Sequence, residues 1–251
     1  MSILGAVFAQ PIAHRGLHDL ENNQPENSVE AFDAAVRAGF AVECDLQLSG
    51  DNVAVVFHDY TLDRMTAQSG ALNDISGDQI SRIPLNSADS TIMRFSDFLE
   101  MIGDNTPVVV ELKSQGENNS ELAHAANDAA KDYKGKLAFK SFDPRILSEL
   151  RAANCKWPIG IVLEKERAKN VNALKGFILR HLLHYPWTKF DFVSCNISDL
   201  ELPMVRLFRA LGYKTMTWTV DTASEMDRAA MHADQIVFEG EAAQLLGQSV
   251  G

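Results

Sequence analysis

Between Pro11 and Thr66 the chain places an unusual density of ionisable side chains at the ends of apolar runs. Ile12-Ala13 runs into His14 and Arg15, Val42 into Glu43 and Asp45, and Val55-Val56-Phe57 into His58 and Asp59; later, Val108-Val109-Val110 runs into Glu111 and Lys113. Side chains alternate along a strand, so Glu43 and Asp45 share one face and Cys44 and Leu46 the other. Two carboxylates on one face repel each other and lose hydration unless a cation sits between them. Hard oxygen ligands favour Mg²⁺ or Ca²⁺ over zinc, and Glu111 supplies a third ligand from another strand end.

The turn sequence Ser49-Gly50-Asp51-Asn52 predicts an antiparallel hairpin. With Gly50 and Asp51 as its two loop residues, Ser49 pairs with Asn52, and His58 stands across from Glu43 with Cβ atoms about 5 Å apart. His14, at the end of the first strand, falls on the neighbouring rim. Two imidazoles beside a carboxylate cluster suit a base that activates an attacking oxygen and an acid that protonates a leaving one. Arg15 and Lys113 are the matching cations for a phosphoryl group, Arg15 through a bidentate fork. His124, His181, His184 and His232 fall in helical segments and read as surface or packing residues. His18 lies in the loop after Gly16 without a supporting pattern. For Trp218 two readings stand, lining the pocket or packing inside the fold.

Alternating strand-like and helix-like segments must position these groups. The strands are expected at Ile12–Arg15, Ala41–Leu48, Val53–Phe57, Val108–Leu112, Leu137–Phe142, Ile159–Leu163, Phe190–Cys195, Lys214–Val220 and Gln235–Phe238, with amphipathic runs such as Val29–Ala38 and Pro144–Ala153 between them. Such alternation predicts an α/β fold with a parallel sheet, closed as a (β/α)₈ TIM barrel, an open twisted sheet being the alternative. The second and third strands have no room for a crossover helix between them, so they form a hairpin insertion at the C-terminal rim after strand 2. The segment Thr61–Thr91 reads as an excursion over one face, with a short helix near Asp78–Ile83. The expected organisation is a single domain over residues 1–251 with a rim excursion at about 49–95.

A composition of 46% hydrophobic and 23% charged residues suits a globular core, and a formal charge of −11 argues against nucleic acid and anionic membranes as partners. A small anionic substrate is not excluded, because local cations and a metal reverse the field inside one cleft. Cys44, Cys155 and Cys195 are odd in number and widely spaced, which predicts reduced thiols and a cytoplasmic setting. Met1 to Gln10 has no basic flank of the signal-peptide kind, and no run approaches the roughly 18 apolar residues of a membrane span. No stable membrane association is expected.

The motifs together resemble the glycerophosphodiester phosphodiesterases, metal-dependent (β/α)₈ barrels. The resemblance rests on His14-Arg15-Gly16, Pro25-Glu26-Asn27-Ser28 and Glu43-Cys44-Asp45 followed by His58-Asp59. Glu111-Leu112-Lys113, Ser141-Phe142-Asp143 and Trp218-Thr219-Val220 then follow in the family's order, so it covers nearly the whole chain. It implies His14 and His58 as general acid and base, and Glu43, Asp45 and Glu111 as ligands of one divalent cation, Mg²⁺ or Ca²⁺. Arg15 and Lys113 would lie on the phosphate, and Glu26 and Asn27 would support the cluster. The implied reaction is hydrolysis of a small glycerophosphodiester to sn-glycerol 3-phosphate and an alcohol, a step of glycerol and lipid metabolism.

Ser28 stands where the family more often has threonine, and Cys44 replaces an aliphatic residue on the face away from the metal. Val237-Phe238-Glu239-Gly240 replaces a common Thr-Asp-x-Pro, a departure that bears on the alcohol group rather than on the chemistry. Two rival functions remain at this stage. One is a phospholipase D-like or cyclising phosphodiesterase acting on lipids, which needs exposed apolar rim loops that Thr61–Thr91 is too polar to supply. The other is a non-catalytic glycerophosphate-binding barrel.

Overall fold

The structure is a computed structural model that describes residues 1–114, 116, 119–166 and 172–248, so the last three residues of the expected 1–251 span and short internal stretches lie outside the described residues. Its strands are β1 (Ile12–Ala13), β2 (Ala41–Leu48), β3 (Ala54–Val56), β4 (Val108–Leu112), β5 (Leu137–Ser141), β6 (Ile159–Leu163), β7 (Phe192–Asn196), β8 (Lys214–Val220) and β9 (Gln235–Phe238). All of these except β3 pair in parallel, and β1 pairs with both β2 and β9, which closes the ring into a (β/α)₈ barrel with β3 appended antiparallel to β2. The open-sheet alternative is excluded by that closure.

Helices pack outside the barrel for reasons legible in their sequences. Ser28 caps Val29–Arg37 by accepting from Ala31 N, and the helix buries Ala31, Phe32 and Ala35 against the sheet. Pro144 opens Pro144–Ala152, where its missing N–H costs nothing, and Asp143 caps it. The outward-facing residues of β2 (Val42, Cys44, Leu46, Leu48) and of β4 (Val108, Val110, Leu112) join the helices in one large core.

Inside the barrel a second apolar cluster forms the floor: Ile12, Ala41, Val109, Ala138, Phe192, Met216 and Val237, one from each of seven strands. The remaining barrel strand, β6, contributes Gly160, because a Cβ there would lie 2.2 Å from the Phe192 ring. The short helix Ile3–Val7 closes the lower end, where Phe8 meets Phe192 edge to face.

The hairpin differs from the two-residue turn expected. Ser49 N donates to Val53 O, so the loop has three residues, Gly50-Asp51-Asn52, and Asn52 takes the left-handed conformation (φ 64°) that asparagine tolerates. Ser49 Oγ fixes the loop by accepting from Val53 N at 2.8 Å and donating to Asp51 Oδ1 at 2.6 Å. This shifts the register by one residue, with Leu46 opposite Val56 and Phe57 N donating to Asp45 O. The excursion beyond it has its own apolar core, including Phe57, Leu62, Leu72, Ile80 and Ile92, and carries a short helix at Gly77–Ile80 with a capping box of Ser76 and Gln79.

Candidate active site

Each floor residue is followed, two positions later and one layer up, by a residue of different character. Ile12 leads to His14, Ala41 to Glu43, Val109 to Glu111, Ala138 to Lys140, Phe192 to Ser194, Met216 to Trp218 and Val237 to Glu239. The two-residue period of a strand therefore stacks a polar layer on the apolar floor at the C-terminal end of the barrel, where folds of this kind place their sites. In register, Asp45 of β2 lies beside Glu111 of β4, which lies beside Lys140 of β5.

Glu43, Asp45 and Glu111 are buried together with Lys140, and the partly buried Lys113 stands beside them. Lys113 Nζ lies 2.8 Å from Asp45 Oδ1 and 2.5 Å from Glu111 Oε1, and Lys140 Nζ lies 3.0 Å from Glu43 Oε1 and 3.2 Å from Glu111 Oε2. Arg15 Nε stands 3.1 Å from Asp45 Oδ2, and the Arg15 backbone N donates to Glu43 Oε2. Burial pushes the Asp45 carboxyl up, but Lys113 and Arg15 outweigh it and hold the group well below the usual carboxylate range. Glu111 is likewise raised by burial and lowered more by Lys113 and Lys140, to about 2. Lys140 is the residue that reasoning from motifs missed. Its signal was present in Leu137-Ala138-Phe139-Lys140, an apolar strand whose period turns a cation inward.

The carboxylates fit a divalent cation. Glu43, Asp45 and Glu111 each offer an oxygen, and these atoms lie within 4.8 Å of one another. Glu43 Oε1 and Asp45 Oδ1 are buried and accept no aligned hydrogen bond, although a lysine Nζ is near each. Spare lone pairs on hard oxygen donors are what Mg²⁺ or Ca²⁺ requires.

Both strand-end histidines are oriented in the same way. His14 Nδ1 lies 2.6 Å from Glu239 Oε2, and His58 Nδ1 lies 2.6 Å from Asp59 Oδ1. Each ring thus has Nδ1 tied to a carboxylate, which leaves Nε2 to exchange a proton. The bonds from His14 and His18 hold the Glu239 carboxyl far below its ordinary value, so the imidazole is the donor in the first pair. His58 does not stand across from Glu43, because of the one-residue register shift. It reaches the site from beyond the end of β3, its carbonyl accepting from Gln47 Nε2 at 2.8 Å, and it is close enough to Asp45 to act on that carboxylate.

A chain of ion pairs links the two sides. Arg15 Nη1 bonds Glu26 Oε1 at 2.9 Å, Arg64 bonds both Glu26 oxygens, and Arg64 also grips Asp59, which holds His58. Asn27 pairs with Asp45 twice, through its Nδ2 to Oδ2 and its Oδ1 from the Asp45 N. Arg15 and Asn27 both adopt positive φ, and Asn27 N donates to Arg15 O, so the two loops clamp each other. Gly16 (φ 82°) is required beside them, since a Cβ would sit 2.8 Å from the Ala31 backbone. Trp218 packs against the barrel floor and meets Phe142 edge to face at 5.5 Å. Elsewhere, His184 is buried, its pKa pushed down by burial to about 4, and His124 is exposed on a helix.

A profile of the glycerophosphoryl diester phosphodiesterase family matches residues 14–236. Glycerophosphodiester phosphodiesterase 1 of Bos taurus is 42% identical over 261 residues, covering 88% of this chain and 74% of the bovine protein. The glycerophosphodiester phosphodiesterase of Caldanaerobacter subterraneus subsp. tengcongensis is 27% identical over 227 residues, covering 86% and 88%. Among solved structures, an Oleispira antarctica phosphodiesterase in complex with the product sn-glycerol-3-phosphate superposes with a TM-score of 0.79 at 22% identity, covering 96% of each chain. A glycerophosphodiester phosphodiesterase from Thermotoga maritima gives a TM-score of 0.72 at 23% identity, covering 95% of this chain and 96% of that one. These likenesses in structure establish the same barrel fold.

Proposed function

The chain belongs to the glycerophosphoryl diester phosphodiesterase family and is a phosphodiesterase, and on that premise we propose that it cleaves glycerophosphodiesters by histidine acid–base catalysis at a divalent cation. The observation that carries the proposal is the pair of imidazoles, each fixed at Nδ1 by a carboxylate, at the rim of the cluster Glu43, Asp45 and Glu111. A cation held by those carboxylates, Mg²⁺ or Ca²⁺, supplies Lewis-acid polarisation of a phosphoryl oxygen.

One histidine takes the proton of the attacking oxygen while the other protonates the departing alcohol oxygen. The nucleophile is water or the neighbouring glycerol hydroxyl, and the phosphorus product is sn-glycerol 3-phosphate, the ligand of the Oleispira antarctica relative. Arg15 and Lys113 contact the phosphate. Their side chains are 17% and 13% exposed, whereas that of Lys140 is 2% exposed and stays with the carboxylates. Glu26 and Asn27 position Arg15 and Asp45. The whole chain acts as one domain in the cytoplasm, and its three cysteines stay unpaired. No helix among the described residues is long and apolar enough to cross a membrane.

The test is a panel of glycerophosphodiesters assayed with Mg²⁺, with Ca²⁺ and with EDTA, for the wild type, His14→Ala and Glu43→Ala. Turnover should require the cation and fall by about 10²-fold to 10⁴-fold without the imidazole. Activity that survives EDTA, or an unimpaired His14→Ala enzyme, refutes the mechanism.

A further inference from the structure

The rim carries a second set of metal-ligating atoms, apart from the three buried carboxylates. His14, His18 and Glu239 each offer one, and these atoms lie within 4.8 Å of one another. Both rings meet the same carboxylate oxygen, His14 Nδ1 at 2.6 Å from Glu239 Oε2 and His18 Nε2 at 3.4 Å from it. The reaction as described uses the first contact to fix a tautomer and has no use for the second. The three side chains are partly exposed, so the group can be reached from solvent at the edge of the cleft.

The backbones of the three residues are held in place from different sides. His14 N donates to Phe238 O and Glu239 N donates to Val220 O, so both residues are carried by the closed sheet. His18 sits in the loop after Gly16, between Leu17, whose N donates to Ala31 O at 2.9 Å, and Asp19, whose N donates to Gln24 O at 2.7 Å. Two ligands about 2.1 Å from one tetrahedral ion stand about 3.4 Å apart. His18 is already at that spacing from Glu239, and only the His14 contact has to lengthen, by about 0.8 Å. Two imidazole nitrogens with one carboxylate oxygen are a zinc set, whereas Mg²⁺ and Ca²⁺ prefer the all-oxygen cluster of Glu43, Asp45 and Glu111.

We propose that His14, His18 and Glu239 form an inhibitory Zn²⁺ site, with water as the fourth ligand. For its effect on turnover the inference rests on the histidine mechanism above; for binding it stands alone. As the Nδ1–Zn bond of His14 forms, the Nδ1–H bond breaks and Nε2 takes up a proton from solvent, so the ring stays neutral. His18 ligates through the lone pair of Nε2 and keeps its one hydrogen on Nδ1. A neutral imidazole carries a single N–H. With Nδ1 on the metal, the hydrogen of His14 is locked on Nε2, the nitrogen left to exchange a proton. That nitrogen then has no lone pair to act as a base, and its N–H is a far weaker acid than an imidazolium. Zinc thus silences His14 without displacing the cation held by the carboxylates.

The experiment titrates buffered free Zn²⁺ into the whole chain turning over glycerophosphocholine, with Mg²⁺ and Ca²⁺ saturating, for the wild type and His18→Asn. Each rate is taken relative to the zinc-free rate of the same enzyme. Zinc should inhibit the wild type without competing with Mg²⁺ or Ca²⁺, and His18→Asn should need at least about tenfold more zinc for half inhibition. Inhibition that added Mg²⁺ or Ca²⁺ relieves, or that His18→Asn retains unchanged, overturns the proposal and leaves the phosphodiesterase reading intact. Binding is followed separately by the visible absorption of Co²⁺, a spectroscopic stand-in for zinc, again with Mg²⁺ and Ca²⁺ saturating. The wild type should show the strong d–d bands of a four- or five-coordinate nitrogen and oxygen site, weakened in His18→Asn and abolished by Zn²⁺. Such bands support the site even if no diester is turned over, a result that would refute the catalytic reading alone. Their absence, or an intense charge-transfer band from a cysteine sulfur in their place, refutes the site.

Discussion

His14 Nδ1 donates to Glu239 Oε2 across 2.6 Å, which joins the end of the first barrel strand to the end of the last. The two residues are 225 positions apart, and the contact exists only because β1 and β9 pair and close the ring. Glu239 thereby fixes the tautomer and direction of the imidazole. Glu239→Gln keeps the shape but no longer demands an N–H at Nδ1. Steady-state kinetics should show kcat reduced by about tenfold to 10²-fold with KM little changed, less than the loss of the imidazole itself. Retention of full kcat would remove Glu239 from the machinery.

Arg64 is a second device of this sort, and it comes from the rim excursion. Its guanidinium bridges Glu26, the partner of Arg15, and Asp59, the partner of His58. The side chain is 48% exposed, so Arg64→Met should alter stability by no more than about 1 kcal/mol. It should still lower kcat by about tenfold, since both Arg15, proposed to face the phosphate, and one imidazole lose a support. Thermal melts and kcat measured on the same preparation separate the two effects. A variant that loses stability but not activity would make the bridge purely structural.

Acid should reveal the lysine–carboxylate cluster. The Glu111 carboxyl, raised by burial but lowered more by Lys113 and Lys140, titrates at about 2 in the fold against 4.5 in the open chain. A carboxylate depressed in this way adds stability in full above pH 4.5, and that stability is lost as the pH falls toward 2. Asp45 and Glu239 are lowered in the same direction and add to the slope. Urea unfolding should show a contribution from Glu111 that is flat between pH 7 and pH 5 and declines below pH 4.5, with a shallower decline in Glu111→Gln. An equal slope in that variant would contradict the assignment.

Much of this site was readable before any coordinates, for a definite physical reason. Strand alternation obliges Glu43 to share a face with Asp45, and Glu111 with Lys113, wherever the strands end up. Strand–helix alternation pointed to a parallel sheet and eight repeats to its closure, and the pairing of β1 with β9 decides against the open sheet. The hairpin register was not readable, because Asn52, which a two-residue turn would leave in the strand, takes the left-handed conformation as a third loop residue, and a one-residue change redirects every later side chain. His58 nevertheless arrives, since it lies past the paired segment and is set by Gln47 and Asp59 instead. Arg64 and Glu239 escaped because they meet Glu26 and His14 from far off in sequence and no local pattern marks such a pair, whereas Lys140 was marked only by the inward period of its strand.

Lys140 provides the sharpest test of how the cluster is balanced. Glu43, Asp45 and Glu111 face Lys113, Lys140 and Arg15, three negative groups against three positive. The set is thus neutral, and a divalent cation together with an anionic diester leaves it near neutrality again. Lys140→Met deletes a buried cation while nearly keeping its volume, and it leaves Glu43 and Glu111 short of a partner. Without a divalent cation the variant should lose about 3–5 kcal/mol of stability, the range for breaking a buried pair from one side. Mg²⁺ or Ca²⁺ should then raise the melting temperature of the variant more than that of the wild type, because the new excess of negative charge attracts the ion. The same excess repels the diester, so KM should rise while the cation binds more tightly. Titration calorimetry and melts across a range of cation concentrations measure both. A variant as stable as the wild type, or one whose affinity for the cation falls, would show that Lys140 does not balance these carboxylates.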